Sequence, residues 1–195
     1  GGHAPFIVFA VCDFGRGVEQ AIPAKFATSV QDCLAANRFL IERPLYERFV
    51  AAFADRVRRL TVGPGMSDPD IGPLINERAI AKQREHVEDA LRRGARLVCG
   101  GGIHPAGPLF FEPTVLADVP RDALVFREET FGPVAARSGR FCRALQFGMV
   151  AVNRTKITGA PVPFGGVKQA GLGREGSRHG MEAFTDLKYV CRQAG

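Results

Sequence analysis

The chain has 195 residues and a formal net charge of +6, with 46% hydrophobic and 24% charged residues, which suits one α/β domain with a sizeable core. No apolar run reaches the roughly 18–20 residues of a membrane-spanning helix, and no secretory signal opens the sequence, so we expect a cytoplasmic protein without a membrane partner. The basic residues at 56–59 and 92–93 lie near ends of predicted helices and are not interleaved with aromatic residues, which argues against a nucleic-acid partner.

Predicted strands and helices alternate along the chain. Apolar runs predict strands or extended segments at residues 6–11, 38–42, 95–99, 110–116, 123–126, 149–152 and 187–191. Apolar residues at helical spacing predict helices at residues 18–26, 45–60, 76–93, 140–145 and 174–184. Asp13 and Asn76 are N-cap candidates, Gly94 is a C-cap candidate, and Pro23 favours a kink or a late helix start. The alternation predicts βαβ units, and therefore an α/β fold with a largely parallel, doubly wound sheet flanked by helices.

Cysteine usage gives no sign of a metal site or a disulfide framework. The five cysteines have irregular spacing and form no CxxC pair, which predicts free thiols in a reducing compartment and no zinc site; they are Cys12, Cys33, Cys99, Cys142 and Cys191.

Cys33 lies between a predicted helix and a predicted strand. A thiol at such a junction could be a nucleophile, or it could be one small buried residue among several. A nucleophilic cysteine needs a lowered pKa or a nearby base, and the local cations in the sequence are Lys25 and Arg38. Taken alone, the segment leaves both interpretations open.

Two further loops carry unusual composition. Residues 127–134 (REETFGPV) set two carboxylates before an aromatic ring and a Gly-Pro turn. One carboxylate could accept hydrogen bonds from sugar hydroxyls and the ring could flank a planar group, or the loop could be a charged turn with a core phenylalanine. Residues 163–176 (PFGGVKQAGLGREG) contain five glycines and could cradle a phosphate, although the full G-x-G-x-x-G spacing is missing.

Taken together and in this order, six segments carry a resemblance to one family. They are residues 2–9 (GHAPFIVF), 36–38 (ANR), 72–76 (GPLIN), 111–114 (FEPT), 128–133 (EETFGP) and 163–176. Nearly the whole chain resembles the C-terminal catalytic half of NAD(P)-dependent aldehyde dehydrogenases, in particular the succinate-semialdehyde dehydrogenase branch. The resemblance implies an incomplete aldehyde-dehydrogenase catalytic domain, with NAD or NADP as cofactor and a small aldehyde as substrate.

The resemblance also implies residue roles. Cys33 matches the nucleophile that attacks the aldehyde carbon to give a thiohemiacetal, after which hydride leaves to the nicotinamide and water hydrolyses the thioester. Glu129 matches the carboxylate that binds the nicotinamide ribose, and Phe131 matches the aromatic residue near the nicotinamide. Phe164 would lie at the substrate pocket, and Thr158 aligns with the serine that the succinate-semialdehyde branch uses for the substrate carboxylate.

The chain departs from the family pattern at its start. The family's general base is a glutamate shortly before the residues matching Gly1 and Gly2, and the dinucleotide-binding half precedes it. We therefore expect a truncated sequence whose isolated chain has no dehydrogenase activity, since a missing base costs roughly 10²–10⁴-fold in rate.

The nucleophile segment departs as well. Thr28 and Val30 stand where the family has asparagine and glycine; a positive φ at the second position would strain a valine, so the loop would have to move. Ala27 stands where the branch uses an arginine for the substrate carboxylate, which leaves Thr158 alone in that role. Ala35 replaces a cysteine that some relatives use in a redox disulfide.

The third departure is internal. After residues 131–135 the family continues through a strand, a helix, another strand and most of a second helix, whereas this chain passes through 136–140 to a segment resembling the end of that second helix. We therefore expect residues 1–186 to be a partial catalytic domain with a family segment missing near 136–140. Residues 187–195 would be the C-terminal strand of the oligomerisation region. Losing whole elements from a parallel sheet exposes apolar faces, so we expect marginal stability or a stabilising partner.

Three functional hypotheses remain open from the sequence. The chain is an aldehyde dehydrogenase whose other parts lie outside this sequence, a non-catalytic remnant, or an association subunit that forms a homo-oligomer through the strand between Leu187 and Cys191. We expect no reduction of NAD or NADP by this chain alone, and ordinary thiol reactivity for Cys33.

Overall fold

The computed structural model describes residues 2–138, 147–153 and 158–193. The chain divides into two compact units, Gly1–Arg143 and Ala144–Gly195, and each is described by itself. The expected boundary between residues 186 and 187 falls inside the second unit and stays a prediction. None of the described helices is long and apolar enough to cross a membrane.

Among its described residues, the first unit contains five strands and four α-helices. The strands are β1 (Ala4–Val8), β2 (Ala36–Ile41), β3 (Arg96–Cys99), β4 (Thr114–Ala117) and β5 (Val134–Ser138). The helices are α1 (Phe14–Phe26), α2 (Tyr46–Val57), α3 (Glu77–Arg92) and α4 (Leu124–Arg127).

The strands form one sheet in the order β1-β2-β5-β4-β3. Three of the four neighbouring pairs are parallel, and only β3 with β4 is antiparallel, so the predicted α/β fold with a largely parallel sheet is confirmed. The sequence analysis missed β5, which lies between β2 and β4 and buries Val134, Ala135 and Ala136 completely. Its short apolar run follows a Gly-Pro turn and offered little periodicity to detect.

Side-chain caps define the two predicted helix starts. Asp13 accepts a hydrogen bond from the backbone N–H of Arg16 at 3.1 Å, and Asn76 accepts one from Ala79 at 3.0 Å. The first helix begins earlier than predicted and includes Pro23. Gly94, just after α3, has a φ of +93°, the left-handed conformation expected of a glycine that ends a helix.

Aromatic side chains fill the core between α1, α2 and β2. Phe53 is fully buried, and its ring centroid lies 5.1 Å from that of Phe39 and 6.1 Å from those of Phe26 and Phe49. Phe26 is the last residue of α1 and Phe39 lies in β2. This cluster therefore anchors both ends of the segment that carries Cys33.

The second unit has little regular structure among its described residues. It contains α5 (Ser177–Glu182) and a two-way backbone pairing of Phe164 with Glu175, each N–H donating to the other's carbonyl oxygen at 2.8 Å. The helix predicted at 174–184 is thus shorter than expected.

Three predicted extended segments are wrong. Residues 149–152 and 187–191 form no strand in the described part of the second unit, because a strand needs a hydrogen-bonded neighbour and none of those residues has one there. Residues 123–126 fall largely in the short helix α4 instead. The helix predicted at 140–145 lies outside the described residues, as does Cys142.

Candidate functional site

The candidate site forms at the amino-terminal ends of three adjacent parallel strands. Gly2 lies two residues before β1, Cys33 three residues before β2, and Glu129 five residues before β5. Since β1, β2 and β5 are neighbours in the sheet and run parallel, the loops that precede them meet at one edge.

Gly2 is the common neighbour of Cys33 and Glu129. Its backbone N–H donates to Glu129 Oε1 at 3.0 Å. A Cβ placed on Gly2 would lie only 1.7 Å from the carbonyl oxygen of Cys33, so the backbones of Gly2 and Cys33 approach more closely than any residue with a side chain allows. The structure therefore brings together two of the sequence-predicted site residues, and Gly2 is a contact that the sequence analysis did not identify.

The surroundings of Cys33 disfavour its thiolate. The side chain reaches solvent, yet partial burial raises the pKa of the thiol above its ordinary value, and the carboxylates of Asp32 and Glu129 raise it further. The two cations noted in the sequence bond elsewhere: Lys25 Nζ donates to a buried amide, and Arg38 donates to the carbonyl oxygen of His3 at 2.7 Å. At neutral pH the thiol is therefore protonated.

Replacing Asp32 by asparagine is expected to speed alkylation of Cys33. The change removes the negative charge that raises the Cys33 pKa, while the amide oxygen can still accept the hydrogen bond that Leu34 N–H now donates at 2.8 Å. We expect iodoacetamide to react about threefold faster at pH 7.5, with the two rates converging at a pH high enough to ionise both thiols. An unchanged rate at pH 7.5 would show that Asp32 does not act on the thiol.

The backbone before Cys33 is strained. Thr28 has a φ of +54° and Val30 a φ of +64°, within the left-handed region that costs an ordinary residue roughly 1–2 kcal/mol. Val30 is also fully buried. The expectation that the loop would move away from this conformation is wrong, because Val30 keeps the positive φ that disfavours a β-branched residue.

Val30 allows a direct measurement of this strain. At an ordinary position alanine is more stable than glycine, but at a φ of +64° the order reverses. We expect Val30→Gly to unfold at a higher urea concentration than Val30→Ala, by about 1 kcal/mol in the free energy of unfolding. The opposite order, followed by circular dichroism, would contradict a left-handed backbone at this residue.

Glu129 and Phe131 fit the cofactor role that the resemblance gives them. The Glu129 carboxylate is half-buried at the same edge as Cys33 and accepts hydrogen bonds, as a ribose hydroxyl would require. Phe131 has a φ of +48° and exposes 41% of its surface, so part of this residue is accessible to a bound group. Within the described residues, no cluster of His, Cys, Asp and Glu could hold a metal ion.

Thr158 and Phe164 belong to the second unit. Thr158 is exposed, and Phe164 is half-buried in the backbone pairing with Glu175. Their assigned contacts with a substrate stay predictions.

Comparisons with known proteins agree on one family. The family model described as "Aldehyde dehydrogenase family" matches residues 1–136 and 135–190. The NADP(+) succinate-semialdehyde dehydrogenase of Escherichia coli is 41% identical over 223 aligned positions, which cover 98% of this chain and 46% of the relative. The chain thus spans about half the length of the curated relatives it matches.

Two solved structures give the same result for the fold. The succinate-semialdehyde dehydrogenase of Burkholderia pseudomallei matches with a TM-score of 0.92 at 40% identity, covering 98% of this chain and 46% of the other. The betaine aldehyde dehydrogenase of Staphylococcus aureus, solved with NAD+, matches with a TM-score of 0.87 at 29% identity, covering 94% of this chain and 44% of the other.

Proposed function

Because the chain belongs to the aldehyde dehydrogenase family, we propose that it supplies the nucleophile and the cofactor-binding carboxylate of a semialdehyde dehydrogenase site. The reaction is oxidation of succinate semialdehyde, or a similar short aldehyde, to the carboxylic acid. The observation that carries the proposal is the position of Gly2, whose backbone touches the Cys33 carbonyl and donates to the Glu129 carboxylate. A nucleophile segment and a carboxylate that both contact the backbone of one residue suit a reaction in which substrate and cofactor meet.

In this proposal, Cys33 Sγ gives its proton to solvent water and forms a bond to the aldehyde carbon. The carbonyl π electrons move to oxygen, which the backbone N–H of Cys33 stabilises as one oxyanion donor, and protonation gives the thiohemiacetal. NAD or NADP, when bound, supplies the hydride acceptor for the conversion to a thioester that water hydrolyses. The Glu129 carboxylate would hold a ribose hydroxyl, and the exposed Phe131 ring would lie beside the nicotinamide.

The residue roles for substrate selection in this proposal come from the family resemblance. Thr158 would donate its hydroxyl to the substrate carboxylate, and Phe164 would line the pocket. Ala27 lacks the guanidinium that binds such a carboxylate bidentately. We therefore propose that the carboxylate is bound weakly.

We further propose that these 195 residues alone produce no NADH or NADPH with any aldehyde. The raised Cys33 pKa supports this, since it leaves the nucleophile protonated, and so does the match to only about half of each relative's length. The two-part family match, broken near residue 136, supports the proposal that a family segment is missing near 136–140. Steady NAD(P)H production that Cys33→Ala abolishes would contradict the expected inactivity.

Aldehyde protection tests the proposed role of the thiol. We expect succinate semialdehyde to slow iodoacetamide alkylation of Cys33 severalfold, because a thiohemiacetal has no free thiol. The described cysteines Cys12, Cys99 and Cys191 are internal controls in the same peptide map and are expected to be alkylated at unchanged rates. Equal protection of all of them would contradict the proposal.

A second function, subunit association, is supported by apolar side chains on the second unit. Leu187, Phe184 and Tyr189 expose at least 85% of their surface, which marks a contiguous stretch suited to burial against another chain. We propose that the segment between Leu187 and Cys191 contributes to a homo-oligomer. Sedimentation of Leu187→Asp against the unaltered chain tests this: a smaller particle supports association, and an unchanged one opposes it.

A further inference from the structure

A buried polar cluster joins the two segments of the candidate site. Lys25 Nζ donates to Asn37 Oδ1 at 2.6 Å and to Thr130 Oγ1 at 3.2 Å, and Thr130 Oγ1 donates to Asn37 Oδ1 at 2.6 Å. Each of the three residues is at most 1% exposed. The cluster therefore links α1, β2 and the loop before β5 with three hydrogen bonds away from solvent.

In the sequence, the three residues of this cluster lie close to the residues of the candidate site. Lys25 lies eight residues before Cys33 and Asn37 four residues after it, so the two bracket the nucleophile segment. Thr130 lies between Glu129 and Phe131, the two residues assigned to the cofactor. Hydrogen bonds between these three side chains thus fix one segment of the site against the other.

Helix α3 holds the same loop from a second direction. Lys82 Nζ donates to the backbone carbonyl of Glu129 at 2.6 Å, and the buried Gln83 donates from Nε2 to the carbonyl of Thr130 at 2.8 Å. With the main-chain carbonyls held from α3, the Thr130 hydroxyl is the group that ties this loop to the Cys33 segment.

We propose that Lys25, Asn37 and Thr130 are positioning residues. Their hydrogen bonds keep the Glu129 carboxylate near the Cys33 thiol. The inference rests on the proposed function, in which these two side chains act in one site. None of the three residues touches the reacting atoms in this proposal; they act through the loop backbones.

The energetics of Lys25 support a role other than stability. Burial lowers the pKa of its amine to about 7, opposed by the charge of Glu129. The nearby His3 is itself uncharged at neutral pH, since burial lowers its pKa to about 4. An apolar side chain of similar length would fill this site without the desolvation cost, so what the lysine contributes is its hydrogen bonds.

The test compares Thr130→Val, which removes the hydroxyl, with Thr130→Ser, which keeps it. The readout is the rate of Cys33 alkylation with and without Glu129→Gln, normalised to the exposed Cys191 in the same sample. Because the Glu129 charge raises the Cys33 pKa, we expect Glu129→Gln to speed alkylation about twofold at pH 7.5 when the carboxylate is held near the thiol.

In the Thr130→Val background we expect this twofold ratio to fall to about one, and in Thr130→Ser to remain about two. Asn37→Leu provides a second variant that should behave like Thr130→Val, because it removes the oxygen to which the Thr130 hydroxyl donates. A ratio of about two in every background, or a ratio of one in the unaltered chain, would overturn the proposal. Neither aldehyde nor cofactor takes part in this experiment. A result that overturns the positioning role therefore does not decide the proposed function, which the aldehyde-protection experiment tests separately.

Discussion

Lys25→Met is expected to raise the free energy of unfolding of the first unit by on the order of 3 kcal/mol at pH 7. The reason is that folding buries the amine completely and lowers its pKa from 10.5 to about 7. Methionine fills a similar volume, and Asn37 Oδ1 keeps the Thr130 hydroxyl as a donor at 2.6 Å. The change therefore removes a desolvation cost without leaving that buried acceptor unpaired.

The pH dependence gives this prediction its specific signature. Between pH 7 and pH 10.5 the unfolded chain keeps a proton on Lys25 that the folded chain has released, so the stability of the unaltered chain rises with pH over that window. Lys25→Met removes this rise, and the advantage of the variant shrinks as the pH increases. Measurements at pH 6.5–8.5 avoid the titration of Cys33.

Urea unfolding followed by circular dichroism measures both effects. Lys188→Met is the matched control, because Lys188 is exposed in the second unit and its replacement is expected to change the stability by less than about 0.5 kcal/mol. A destabilised Lys25→Met, or an advantage independent of pH, would contradict a buried amine whose pKa is lowered to about 7.

Phe53→Ala is expected to destabilise the first unit by about 3–5 kcal/mol. Phe53 is fully buried and its ring packs against those of Phe26, Phe39 and Phe49. Truncation to alanine therefore leaves a cavity that these three rings cannot fill without movement of the elements that carry them. Domains of this kind are stable by roughly 5–15 kcal/mol. A loss of this size therefore brings the unit close to unfolding at 25 °C.

The same variant should loosen the segment that carries Cys33. Because Phe26 and Phe39 flank that segment, we expect faster amide exchange at residues 27–35 in Phe53→Ala.

Two control variants test the size of the effect on stability. Phe53→Leu keeps most of the side-chain volume and should lower the free energy of unfolding by less than about 1.5 kcal/mol. Phe147→Ala, at a half-exposed site of the second unit, should lower it little. A loss below 1 kcal/mol for Phe53→Ala would contradict the packing of this core.

Elements with local signals could be predicted from the sequence. The starts of α1 and α3 followed from the capping side chains of Asp13 and Asn76, and the end of α3 followed from Gly94. Strands that depend on pairing with a segment distant in the sequence could not be predicted in this way. Residues 187–191 have the composition of a strand, but no neighbouring strand pairs with them in the described part of the second unit.

For the site, the sequence supplied the residues but little of the arrangement. Cys33 and Glu129 were chosen through a family resemblance, although both precede strands, and pairing of β2 with β5 could have placed them together. Gly2 carries a weak signal, since it precedes β1 in the same way.

The buried lysine carried a signal that was overlooked. Lys25 follows Val18 by seven residues and Ala21 by four, which places it on the buried face of α1. A cation on that face indicates a buried hydrogen-bonding partner. Its partners, Asn37 and Thr130, are twelve and 105 residues away, and only the fold identifies them.

The most direct test of the proposed nucleophile is ¹³C NMR with succinate semialdehyde labelled at the aldehyde carbon. With the unaltered chain we expect a protein-bound resonance in the range of a tetrahedral carbon bonded to sulfur and oxygen. Its intensity should be constant near neutral pH, where the Cys33 thiol is protonated, and should fall at a pH high enough to ionise the thiol, because the neutral thiohemiacetal carries a proton that the thiolate has lost. Cys33→Ala should abolish that resonance, and Asp32→Asn should make it appear faster near pH 7.5 without changing its final intensity. A resonance that persists in Cys33→Ala, or none in the unaltered chain at any pH, would contradict Cys33 as the nucleophile that binds the aldehyde.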